Sequence, residues 1–205
     1  MSPVTHFLAG WVVAGATSLR RREKAAVVLA GVAPDLDGLG IIPELLTRGS
    51  THPLLWFSEY HHTLHTLAFA LVVTLAAYLI SANANSTLGA KIQGHFMPSR
   101  AAITAFLAFL SFHLHLLCDL VGSRGPDGDS WPIPYLKPFS DALQLSWQGQ
   151  WPLNGWQNFA ITGALLVATL WIAWKHGSSP VEFVSSKGND ALVTSLRTRF
   201  APRRA

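Results

Sequence analysis

Charge is the first shortage in this chain. Only 13% of its 205 residues are Asp, Glu, Lys or Arg, about half the share that a soluble domain carries. Cysteine is scarcer still, with Cys118 alone, so a disulfide-stapled secreted fold is excluded. The 16 glycines fall without a period, which excludes a collagen-like repeat, and 50% hydrophobic residues exclude a disordered chain. Neither an internal repeat nor a low-complexity tract is present. What remains, with a mean hydropathy of +0.30, is one compact domain largely inside lipid.

Long apolar runs are there in number. A spanning helix needs about 17 to 25 mostly apolar residues, because lipid offers the backbone no hydrogen-bond partner. Segments from Leu64 to Ile80, Ala101 to Val121 and Phe159 to Trp174 meet that requirement. A shorter run, Phe7 to Thr17, is followed rather than preceded by its positive charge (Arg20, Arg21, Arg22 and Lys24), the reverse of a cleavable signal peptide. The run from Ala25 to Ile42 is interrupted by Pro34, Asp35 and Asp37, and is expected to be a helix broken at Pro34. The fold class is therefore all-α, an integral membrane bundle of about four to five spans with a broken second helix. Residues 1–176 form the membrane domain, and 177–205 form a polar, basic, mobile cytoplasmic tail.

Lys and Arg orient the bundle, since they accumulate on the cytoplasmic side of spans. With five crossings and the N-terminus outside, twelve of the 15 fall inside; the outer three are Arg48, Arg124 and Lys137. The pI near 9.6 then reflects orientation and contact with anionic membrane lipid. No basic patch interleaved with aromatics is present to suggest nucleic acid.

Ionisable groups inside spans are costly and mark function by default. In the topology above, the outer half holds His6, Asp35, Asp37, His61, His62, His65, His113, His115 and Asp119. The orientation came from Lys and Arg alone, so their meeting at one face is an independent coincidence. On a helix, residues four apart share a face. His61 therefore pairs with His65 and His115 with Asp119, whereas His113 points about 160° away from His115 and is assigned to packing. Asp35 and Asp37 diverge on a helix, but face one side in the turned stretch that Pro34, Gly38 and Gly40 permit. Mixed His and carboxylate ligands suit zinc, manganese or iron rather than magnesium or calcium. The expected metal ligands are His6, Asp35, Asp37, His61, His65, His115 and Asp119, enough for two ions, with zinc or manganese favoured. His52, His95 and His176 are read as solvated, and Asp127 and Asp129 as part of a plain turn.

In the ordered set Thr5-His6, Pro34-Asp35-Leu36-Asp37, the His61 cluster, His115-Leu116-Leu117-Cys118-Asp119 and Pro138-Phe139, the sequence resembles the LexA-binding, inner-membrane-associated metal-dependent hydrolases of bacteria. The resemblance implies a multi-pass helical protein of the inner membrane with a metal site and hydrolase activity. Its pattern has His-Arg at the start of the third segment where this chain has His61-His62, so either histidine can supply the first ligand there. The expected reaction is hydrolysis of a phosphoester or related ester, of small-molecule or lipid-linked kind, at the periplasmic face. A metal-activated water attacks, His62 or Asp37 serves as acid or base, and Arg124 contacts the substrate phosphate. The alternative is a metal or ion-coupled transporter, against which stands the expectation that nothing ionisable lines the inner half.

Overall fold

A computed structural model describes residues 1–60, 62–85, 99–125 and 128–200. Among them the chain is all α-helical, with only two isolated bridges, Arg124 to Pro152 and Ile133 to Leu145. The eight α-helices are α1 (Pro3–Gly15), α2 (Arg21–Ala30), α3 (Ile41–Thr47), α4 (Trp56–Tyr60), α5 (Leu67–Asn85), α6 (Arg100–Gly122), α7 (Trp156–His176) and α8 (Ser186–Arg199).

Local chemistry sets their ends. Ser2 caps α1 by accepting from the Thr5 amide, and Pro3 sits in the first turn, where its missing N–H costs nothing. Ser99 caps α6 through the Ala102 amide, and Gly177, at φ +74°, closes α7 in the left-handed conformation. The second apolar run breaks earlier than expected. α2 ends at Ala30, and Pro34 lies in the first turn of a 3-10 segment, Ala33–Gly40. Proline is tolerated at such a position and disruptive inside a helix, so the chain starts a new element there. With α3 the 3-10 segment bends 52° from α2.

α6 and α7 are long and apolar enough to cross a membrane, and the bent pair of α2 with 33–47 makes up to three. Pro3–Gly15 and Leu67–Asn83 are shorter apolar helices. Of the four to five spans expected, two or three meet this length criterion among the described residues; α1, at 13 residues, rises only about 20 Å. α6 lies against α5, α2 and α1, and α1 against α7. Their shared core is Trp11, Ala14, Val27, Val28 and Ala108, with a second cluster of Ala70, Phe112, Leu116 and Ile133 nearer the far end of α6. Phe159 and Val167 on α7 and Leu71 and Val72 on α5 stay exposed, which suits helices that face lipid on one side.

Within the expected tail, residues 186–199 form a helix. α8 folds back on α7, and Asn189 ties it down: its side-chain oxygen accepts from the amide and hydroxyl of Ser179, and its amide donates to the Gly177 carbonyl. A buried polar knot also sits at the N-terminal end of α2, and it corrects the expectation that nothing ionisable lines that half. Glu23 is fully buried, accepts from Ser81 and from the Arg20 amide, and lies 3.6 Å from Arg100. Lys24 donates to Ser178 at 2.7 Å and lies 3.8 Å from Glu182. The charges that orient the bundle by sequence thus partly pack inside it.

Candidate metal centre

The far ends of the same helices converge on Asp119. α6 presents His115 and Asp119 one turn apart, as the four-residue spacing requires. Carboxylate oxygen Oδ2 of Asp119 lies 2.9 Å from His115 Nε2 and 3.3 Å from His65 Nε2. Oxygen Oδ1 lies 3.2 Å from His6 Nε2 and accepts from Ser123 and from the terminal ammonium of Met1. His6 stacks on His115 with ring centroids 3.7 Å apart. Asp35 Oδ1 approaches His115 Nε2 at 3.9 Å. One ligand atom from each of His6, Asp35, His115 and Asp119 lies within 4.8 Å of the others, and His65 joins from the opposite side at 3.2 Å from His115. All three histidines are buried.

Hydrogen bonds orient the rings. His115 Nδ1 lies 2.8 Å from the Gly31 carbonyl, which can only accept, so Nδ1 carries a proton and Nε2 is the atom turned to the cluster. His65 Nδ1 lies 3.2 Å from Asp37 Oδ2 with the same consequence. Two Nε2 atoms therefore face each other beside one carboxylate oxygen, and protons or a cation must lie among the three. This is how metal-binding histidines are held, by a carbonyl or carboxylate on the remote nitrogen. The spacing fits as well. Ligands about 2.0–2.1 Å from a tetrahedral zinc-like ion lie roughly 3.3 Å from each other, and His65, His115 and Asp119 are separated by 2.9 to 3.3 Å. The atoms His6 Nδ1 and Asp35 Oδ2 are buried without a hydrogen-bond partner, a cost that a nearby cation offsets.

The remaining expected residues divide. Asp37 holds His65 and accepts from the Leu64 amide at 3.1 Å, which makes it an orienting group rather than one of the converging ligands. His61 lies outside the described residues. The expected pairing of His61 with His65 lies outside them too; next to it, α4 ends at Tyr60 and His62 takes φ +80°. His62 is buried against His65 and Trp131, with ring centroids 4.6 and 5.4 Å away. His113 faces the other way: Nδ1 donates to the Phe109 carbonyl, and Nε2 accepts from Tyr135 at 2.9 Å. Burial pushes the Tyr135 phenol up, which keeps it a donor. Arg124 donates to the Gln148 carbonyl and lines a groove of about 980 Å³ with Met1, Thr5, Phe159 and Thr162. His52 and His176 are exposed, Asp129 is exposed, and His95 and Asp127 lie outside the described residues.

Some contributors were not anticipated. Ser123 follows Asp119 by one helical turn, so its spacing was available as a signal. The Gly31 carbonyl left none, since main-chain acceptors are invisible in composition. A Cβ on Gly31 would come 2.5 Å from Ser111 Oγ, so the hydroxyl would have to turn away. After α6, the Gln150 side chain donates to the Asp119 carbonyl and the Trp151 amide to that of Val121.

A model of the YdjM inner membrane protein family matches residues 1–186, which include every residue of the cluster. No curated protein and no solved structure matches the chain.

Proposed function

The chain belongs to the YdjM inner membrane protein family, and from that premise we propose that it is a membrane-bound metal-dependent hydrolase of phosphoesters or related esters. The observation that carries this reading is the opposition of the His65 and His115 Nε2 atoms at 3.2 Å beside Asp119. A proton satisfies two of the converging groups; a divalent ion satisfies the whole set. When bound, zinc or manganese supplies Lewis-acid polarisation of the ester and activation of water. Asp119 turns one oxygen to His6 and the other to His65 and His115, so it would hold the metal together with these histidines.

The chain's own groups do the rest. Asp37 and the Gly31 carbonyl hold the two histidines with Nε2 turned to the cluster. His62, buried next to His65, is placed to carry a proton to the leaving group. Arg124, in the groove that begins at Met1, is the cation for the substrate's phosphate. The distribution of Lys and Arg supports an outward, periplasmic site reached by four to five passes, counting α1, the bent pair, α5, α6 and α7. Apolar surroundings support a lipid-linked ester over a small soluble one.

The transporter reading draws on Glu23 and Lys24, which put buried charge at the other end of the bundle. Between the two ends lies the apolar layer of Trp11, Val27, Val28 and Ala108, a core cluster made of hydrophobic side chains among the described residues. The test is chelator-sensitive hydrolysis of 4-nitrophenyl phosphomonoesters and diesters by detergent-purified protein of measured metal content. Asp35→Ala should abolish turnover. Arg124→Ala should raise KM about tenfold, the loss of one charge-assisted hydrogen bond, with bound metal unchanged. Metal-loaded protein that cleaves no phosphoester yet moves ions across liposomes makes it a carrier.

A further inference from the structure

A second concavity, of about 490 Å³, lies between the 3-10 segment and α4. Leu36, Leu39, Pro43, Trp56 and Leu64 make it apolar, and Asp37 is the acidic residue in its wall. The two strands of chain that form it approach closely at Gly40, where a Cβ would meet the backbone of Trp56 and Phe57 at 3.0 Å. Asp37 is nearly buried and is hydrogen-bonded to His65, so the groove ends one side chain away from the cluster. Outside it, Ile42, Leu45, Leu46 and Leu55 are exposed as well, a surface suited to lipid.

We propose that this groove holds the hydrocarbon tail of the substrate, which is therefore an amphiphile with one long alkyl or isoprenoid chain and its ester at the Asp119 cluster. The identity of the cleaved bond rests on the hydrolase reading; the tail site rests on the groove. Bulk lipid covers convex helix faces such as that carrying Phe159, which is 71% exposed. A concave apolar groove whose wall includes Asp37, the partner of His65, instead selects a single chain. Charge is distributed to match: Arg124 lies in the groove reached from the cluster through Met1, and the groove reached through Asp37 has apolar walls. An anionic head and an apolar tail thus have separate places on two sides of the same centre.

The probe is dodecyl phosphate with a diazirine at the chain end, photolysed with the full chain in lipid nanodiscs and mapped by mass spectrometry. The expected label falls within residues 36–64, and Leu39→Trp, which fills the groove from a residue 57% exposed, should lower it at least about tenfold. Label spread evenly over α5 and α7, or unchanged by Leu39→Trp, overturns the tail site. In parallel, alkyl 4-nitrophenyl phosphodiesters of increasing chain length should show KM falling with length, a trend that Leu39→Trp removes while the shortest ester and the bound metal stay unchanged. Turnover of every ester with one chain-length-independent KM overturns the tail site and leaves the hydrolase standing. Groove labelling without any turnover removes the hydrolase and keeps the tail site.

Discussion

At the scale of single residues, Asp119 is the hub: it meets His6, His65, His115, Ser123 and the Met1 ammonium. Its replacement by Ala should remove bound metal by direct analysis, and His115→Ala should do the same, with membrane insertion intact in both because each change eases burial of a polar group. His113→Ala should keep its metal. It gives up hydrogen bonds to Tyr135 and Phe109, a stability loss of about 1 kcal/mol in a detergent melt. Equal metal loss from His113→Ala, His115→Ala and Asp119→Ala would mean that helical phase selects no ligand. His115 and Asp119 were legible because regular geometry links a spacing of four to a shared face. The role of Asp37 was not, since two carboxylates two residues apart look alike until one is seen hydrogen-bonded to His65 Nδ1 and the other beside His115 Nε2.

At the scale of elements, the close crossing of α1, α2 and α6 decides whether the cluster forms. Gly10 and Gly31 both face Ser111, where an added Cβ would come 2.9 and 2.5 Å from its hydroxyl. Gly31→Ala should cost about 1–3 kcal/mol through overpacking and also shift the carbonyl that holds His115. Pairing it with Ser111→Gly should recover part of the melting temperature; no recovery would place the strain elsewhere. α8 is held by Asn189 against the turn after α7. Asn189→Ala should expose the segment after Gly177 to limited proteolysis while hydrolysis and metal content persist, and unchanged protection would mean that α8 docks without this side chain. The helix was missed in the sequence because its polarity was read as solvation, whereas its one turn of capping, with Ser185 accepting from Gly188, and a buried Val193 suffice to seat it.

At the scale of the whole molecule, the topology is open to a direct measurement. Reporter fusions after Arg100 and after Trp174 should be cytoplasmic, and a periplasmic signal from either reverses the proposed face of the cluster. The inner-membrane class, the all-α fold and the membership of His6, Asp35, His115 and Asp119 in one polar group were determined by the sequence. Apolar length, the lack of charge and helical spacing are local properties, readable from neighbours along the chain. The tertiary structure decided what depends on distant partners: the place of the break before Pro34, the ring orientations of His65 and His115, and the burial of Glu23 and Lys24 where solvated charge was expected. A hydrogen bond between Gly31 and His115, or between Glu23 and Ser81, joins residues far apart in the chain, and nothing in the order of amino acids announces it until the helices pack.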